Sequence, residues 1–103
     1  MDFNQYQRLS SKTAKYPNLG SNPIYPTLGL AGEAGEVAEK VKKNIRDGKS
    51  LDGVGLELGD VLWYISALAD DLGVTLEEVA QANVDKLQSR KNRGKIGGSG
   101  DNR

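Results

Sequence analysis

Apolar residues recur at helical spacing in four stretches of the chain. Phe3, Tyr6, Leu9, Thr13 and Tyr16 are separated by threes and fours, the interval that puts side chains on one face of a helix. Asp2 with Gln5 three positions on makes an N-terminal capping box. A first helix is therefore predicted over residues 3–15. The stretch 17–26 holds all three prolines and reads as a connecting loop. Leu30, Ala34, Val37, Val41 and Ile45 form a second stripe, ended by Gly48, a residue that adopts the left-handed conformation common at helix ends. After a glycine-bearing loop near residues 48–55 comes the strongest pattern: Leu58, Val61, Leu62, Ile65, Leu68, Ala69 and Leu72, stopping at Gly73. Thr75 with Glu78 is a second capping box, and Leu76, Val79, Ala80, Val84 and Leu87 give a fourth helix an apolar face as far as Arg93.

No strand pattern and no internal repeat interrupts this reading. The expected fold is all-α, an antiparallel four-helix bundle-like domain over residues 1–93. Residues 94–103 form a basic, glycine-rich tail without periodicity, expected to be mobile unless a ligand orders it.

Composition narrows the chemistry. A chain of 103 residues has room for one small domain. It contains no Cys and no His, which excludes Cys/His zinc sites, thiol or Ser-His-Asp catalysis and the Glu-x-x-His di-iron pattern. Any metal must be bound by oxygen. No apolar run approaches the eighteen or so residues of a membrane span, and the first residues lack the basic start and apolar stretch of a secretory signal; the expected location is cytoplasmic, away from membranes. The formal charge is zero, but unevenly spread: beyond residue 85, Lys86, Arg90, Lys91, Arg93, Lys95 and Arg103 stand against Asp101 alone, leaving an acidic body with a basic end.

Two acidic pairs share one spacing, Glu33 with Glu36 and Glu57 with Asp60. Residues three apart lie side by side on a helix. At 100° per residue both pairs sit at about 80° and 140° from their helix's apolar centre, in the same rotational sense. On two antiparallel helices those offsets bring four carboxylates to one groove, although a tight hairpin leaves the pairs about 10 Å out of step along the axes. Each close pair of carboxylates repels by about 4 kcal/mol at an effective dielectric of 20, a cost that divalent cations offset. An all-carboxylate set suits Mg²⁺, with Mn²⁺ as a substitute. Two ordinary solvated helix faces would carry the same spacing. Glu39, opposite the apolar centre, reads as a surface residue pairing with Lys43.

On the fourth helix Asn83 falls within the apolar stripe, with Lys86 and Arg90 following at its edge. An amide and two cations in a row suit phosphate oxygens; the alternative is an amide bonded to a neighbouring helix and cations paired with surface acids.

The residues Gly29-Leu30-Ala31-Gly32-Glu33-Ala34-Gly35-Glu36-Val37, then Glu57-Leu58-Gly59-Asp60-Val61-Leu62-Trp63-Tyr64, then Asn83-Val84-Asp85-Lys86-Leu87 resemble the MazG family of nucleoside triphosphate pyrophosphohydrolases. The similarity runs from the first helix to the Gly-Ser-Gly-Asp-Asn-Arg end. It implies an all-α enzyme that hydrolyses nucleotides between the α and β phosphates with Mg²⁺ bound by Glu33, Glu36, Glu57 and Asp60, and assembly as a homodimer or homotetramer with sites near subunit boundaries. Many members carry a further Glu before the first motif, where this chain has Gly32.

The leading expectation is thus a Mg²⁺-dependent nucleotide pyrophosphohydrolase acting on a nucleoside triphosphate, with Asn83, Lys86 and Arg90 binding substrate and no nucleic acid partner. A non-catalytic module holding nucleotide or metal in the same groove, and a helical interaction protein contacting nucleic acid or a partner through its basic end, are the competing readings. Tyr6, Trp63 and Tyr64 are candidates for a base pocket, with packing the preferred role for Trp63.

Overall fold

The structure, a computed structural model, describes residues 1–103 and is helical throughout: α1 (Phe3–Ser11), α2 (Ile24–Asp47), α3 (Val54–Leu72) and α4 (Leu76–Asn92). No helix is long and apolar enough to cross a membrane. Both capping boxes form. Asp2 accepts from the Gln5 N–H at 2.8 Å while the Gln5 side chain accepts from the Asp2 N–H, and Thr75 and Glu78 do the same for α4.

Two helix boundaries differ from expectation, each for a local reason. α1 stops at Ser11 rather than near Lys15. Ser11 Oγ donates to the Arg8 carbonyl at 2.9 Å and Thr13 Oγ1 to that of Ser10 at 2.7 Å, so hydroxyls occupy carbonyls that another helical turn would have used. Tyr16 then leaves the helix, stacks on Tyr25 with ring centroids 4.5 Å apart, and donates to Asp71 at 2.8 Å. α2 begins at Ile24, inside the proline-rich stretch expected to be loop. Pro26 lies in its first turn, where a missing N–H costs nothing because that donor has no partner within the helix, and its side chain is fully buried.

The connection from α2 to α3 sets the register of the acids. Gly48 closes α2 in the left-handed region, φ 68°, with its N–H on the Asn44 carbonyl. The Asn44 side chain donates to the Lys49 carbonyl at 2.5 Å, turning the loop back along α2. Gly53, φ 90°, caps α3 close against the Lys40 ammonium, which lies 3.2 Å from where a Cβ would stand. The chain therefore climbs from Asp47 to the level of Lys40 before α3 starts, roughly two turns or about 10 Å at 1.5 Å per residue. That climb makes up the offset a tight hairpin would leave.

α3 is the element on which α1, α2 and α4 all pack. Ala67 and Ala69 are buried, and the fully buried Ser66 hydroxyl meets Ser10 Oγ at 3.1 Å. Gln7 of α1 joins three elements at once: its Nε2 donates to Asp70 Oδ1 and the Val74 carbonyl, and its Oε1 accepts the Leu76 N–H at 2.8 Å, one of the donors left unpaired at the start of α4. Beyond that junction α4 extends without touching α2. Leu76 is 4% exposed, but Val84 and Leu87 farther along the same stripe are 57% and 44% exposed. The radius of gyration is 16.3 Å, against about 13 Å for a globular domain of this length.

The tail contains no helix or strand. It folds back on the end of α4, the Lys95 N–H donating to the Arg90 carbonyl at 2.6 Å and Arg90 Nη2 to the Asp101 carbonyl at 2.7 Å.

Candidate metal centre

Glu33 from α2 and Glu57 and Asp60 from α3 each present a carboxylate oxygen within 4.8 Å of the other two. Glu33 and Glu57 are half-buried and Asp60 is exposed. Glu36, one turn along α2, is exposed and outside this group. Three of the four acids expected at one groove thus converge, and the fourth flanks them.

The electrostatics follow from the crowding. The Glu33 carboxyl is raised above its ordinary value, first because packing against α3 removes water from it, then because Asp60, Glu57 and Glu36 repel its ionised form. The tyrosines nearby feel the same field: Tyr6 is pushed up by burial and by Asp60, and Tyr64 by burial with Tyr25, Glu33 and Asp60 adding. Relief inside the chain comes from Lys40, whose Nζ lies 3.1 Å from Glu57 Oε1. The motif spacing did not single out this lysine, yet it stands four residues after Glu36 and seven after Glu33, on the same helical face. Glu39, as expected, faces away and pairs with Lys42 at 2.9 Å and Lys43 at 3.7 Å.

A cavity of about 350 Å³ opens beside the acids, lined by Thr13, Glu33, Asp60, Trp63 and Tyr64. Trp63 donates its indole N–H to Thr13 Oγ1 at 2.8 Å and meets the Tyr64 ring edge-on, centroids 5.0 Å apart. Its packing role is therefore real, and the same ring forms a wall of the cavity. Tyr64 packs against α2 where Gly29 leaves room, since a Cβ there would overlap the ring. A larger cleft of about 470 Å³ lies between α1 and the α3–α4 turn, lined in part by Gln7, Arg8 and Asp70; Gln7 is committed there to joining helices, and no group of three acids faces it.

The α4 residues stand apart. Asn83 and Lys86 are exposed, while Arg90 is 6% exposed beneath the tail. No α4 residue lines the cavity beside the acids, in keeping with the absence of contact between α2 and α4. Asn83, expected in an apolar stripe that would demand a partner, projects from a stripe that is itself uncovered.

An all-oxygen set of converging carboxylates fits a hard divalent cation. A family model described as the MazG nucleotide pyrophosphohydrolase domain matches residues 25–94, which span both acidic pairs and α4. The chain is also 49% identical, over all of its length and all of the relative's, to a protein of Mycobacterium phage L5 named Gene 37 protein. No solved structure matches.

Proposed function

The chain belongs to the MazG nucleotide pyrophosphohydrolase family, and on that premise we propose that it is a Mg²⁺-dependent hydrolase converting a nucleoside or deoxynucleoside triphosphate to the monophosphate and pyrophosphate in the cytoplasm. The observation that carries the reading is the convergence of Glu33, Glu57 and Asp60 within 4.8 Å beside a cavity with two aromatic walls. In the proposal these three and Glu36 are the metal ligands. The donor set fits such an ion, because bound positive charge would relieve the repulsion that raises the Glu33 carboxyl. Mg²⁺, or Mn²⁺ in its place, would supply a water of lowered pKa and neutralise charge developing on the phosphates.

The chain's own groups account for the remaining steps. A carboxylate of the cluster accepts the proton from the attacking water. With no His or Cys available, direct attack at the α-phosphorus is favoured over a covalent intermediate. Trp63 and Tyr64 give the base an apolar surface beside the acids. Asn83, Lys86 and Arg90 bind the β and γ phosphates and stabilise the departing pyrophosphate. Because α4 does not reach α2 within one chain, the proposal includes a homodimer, or a tetramer of two such pairs, in which one subunit's α4 faces the acids of another. The exposed Ile24, Leu28, Leu56 and Val84 support such an assembly.

Hydrolysis of a nucleoside triphosphate in ¹⁸O-water should place label in the monophosphate and none in pyrophosphate, while Asp60→Asn and Glu36→Gln abolish turnover with helical circular dichroism unchanged. Label in pyrophosphate, release of inorganic phosphate, or full activity in either amide variant would overturn the mechanism. Nucleotide binding without turnover would leave a binding module instead.

A further inference from the structure

Asp71, near the end of α3, is a half-buried carboxylate that the metal-centred chemistry does not use. It stands eleven residues beyond Asp60, about 16 Å along the helix axis at 1.5 Å per residue, too far to reach an ion bound by the acids. No cation pairs with it. Both of its oxygens go instead to one segment, the connection between α1 and α2 over residues 12–23: Oδ2 accepts the Tyr16 hydroxyl and Oδ1 the Gly20 N–H, each at 2.8 Å. The Tyr16 phenol is pushed well above its ordinary value, by burial first and then by this bond, so it remains a donor at neutral pH. The segment is bent to make the contact. Asn18 is the one non-glycine residue with a left-handed backbone, φ 56°, and Gly20 follows at φ 90°, conformations that persist where surrounding bonds hold them. The Asn22 side chain closes the curve by donating to the Pro17 carbonyl at 2.8 Å.

The other end of the same segment is a wall of the cavity beside the acids. Of the five residues lining that cavity, Glu33 and Asp60 belong to the carboxylate cluster, which leaves Thr13, Trp63 and Tyr64 for the rest of an occupant. All three are tied to the segment. Thr13 is part of it, and its hydroxyl is engaged twice, accepting the Trp63 indole N–H at 2.8 Å and donating to the Ser10 carbonyl at 2.7 Å. Tyr64 meets Trp63 edge-on and lies beside Tyr25, which adds to burial in raising its phenol. Tyr25 is in turn stacked on Tyr16. A closed circuit of contacts therefore runs from Asp71 through Tyr16, Tyr25 and Tyr64 to Trp63, and returns to the segment at Thr13.

We propose that Asp71 is a positioning residue for the substrate: by anchoring the α1–α2 connection as a strap, it holds Thr13, Trp63 and Tyr64 in place and sets the affinity for the nucleoside part of the nucleotide. The metal ligands lie on α2 and α3 outside the circuit, and contacts to the nucleoside are alike in the ground and transition states, so the effect falls on KM and not on kcat. The inference rests on the proposed function for the identity of the occupant.

The chain has one tryptophan, so the emission of Trp63 and its quenching by acrylamide report on the cavity wall without metal or substrate. Asp71→Ala should increase the quenching and shift the emission, with helical circular dichroism retained, and Tyr16→Phe, which keeps the ring but loses one of the two bonds, should do the same to a smaller extent. In a Mg²⁺ assay of the four canonical deoxynucleoside triphosphates, Asp71→Ala should raise KM about ten-fold, the scale of one charge-assisted hydrogen bond, with kcat unchanged. Thr13→Val breaks the strap at its near end and should raise KM as well, while Thr13→Ser keeps the hydroxyl and restores it. The double variant Asp71→Ala/Thr13→Val should be no worse than Thr13→Val alone, because both act through one strap; independent structural damage would add. Native quenching in Asp71→Ala, a loss in kcat at unchanged KM, or additive effects in the double variant would overturn the strap. Absence of turnover with every triphosphate would refute the proposed function, with the quenching series still deciding whether Asp71 holds the wall. Turnover with native quenching and native KM in Asp71→Ala would refute the strap alone.

Discussion

Lys40 and Glu33 answer the same crowding in opposite ways: one brings a positive charge to the acids, the other holds its proton more tightly. Because the Lys40 ammonium lies on Glu57, a cation entering the cluster has to compete with it. Lys40→Met should tighten Mg²⁺ binding about two- to five-fold, the range of a partly exposed ion pair, as read from the Mg²⁺ dependence of activity or by calorimetry. Unchanged or weaker Mg²⁺ affinity would mean that Lys40 does not compete. For Glu33 the pH effect has a definite sign. Its folded pKa is raised above the ordinary 4.5, so between the two values the folded state binds more protons than the unfolded, and stability falls as pH rises through that window. Glu39 and Asp47, lowered by hydrogen bonds from Lys42 and Arg46, act in reverse, their contribution being present above the unfolded pKa and lost as pH falls through the lowered one. Thermal unfolding of the metal-free protein should therefore show a loss of stability above pH 4.5 that Glu33→Gln or added Mg²⁺ removes; an identical pH profile in Glu33→Gln would contradict the assignment. The acids were legible in the sequence because i,i+3 spacing survives any tertiary arrangement. Lys40 was not, because a cation on a charged face looks like solvent-side patterning until its partner helix is in place.

At the scale of elements, the helices could be read where an apolar stripe ran long enough to fix its own phase, as in the middle of α2 and throughout α3. Their ends depended on finer competition, between Ser/Thr hydroxyls and the backbone after Ser11, and on Pro26 occupying the one part of a helix that tolerates it. The α2–α3 register was illegible for another reason: the climb of residues 48–53 is fixed by the Asn44 side chain and by two left-handed glycines, none of which appears in a hydrophobic pattern. The glycines of α2 also differ among themselves in ways their spacing conceals. Gly29 faces the Tyr64 ring, whereas a Cβ at Gly35 meets nothing within 4 Å. Gly29→Ala should cost about 1–3 kcal/mol, as overpacking does, and displace Tyr64 from the cavity wall. Gly35→Ala should stabilise the chain by up to about 1 kcal/mol through helix propensity. Urea unfolding of the two variants checks both, and equal midpoints would sink the distinction.

For the whole molecule, a radius of gyration of 16.3 Å and large apolar side chains such as Ile24, Leu28 and Leu56, 68–79% exposed, describe a chain with more apolar face than it covers. Sequence periodicity reported which side of α4 is apolar but not what lies against it, since a stripe reads alike whether the neighbour belongs to the same chain or another. Sedimentation at micromolar concentration should accordingly show a species at least twice the 11.1 kDa of the chain, and a monomer alone would refute the assembly. The separation of α4 from α2 has a further consequence, for the way the native state opens. The turns of α4 around Val84 and Leu87, between the junction at Leu76 and the tail packed on Arg90, lack tertiary cover, so their amide protons should exchange with deuterium through local opening, much faster than those of α3 and with little sensitivity to denaturant. Dilution below the dissociation constant of an assembly should accelerate exchange in α4 while leaving α3 near its global limit. A deuterium map recorded across a concentration series would then report residue by residue where the second chain lies.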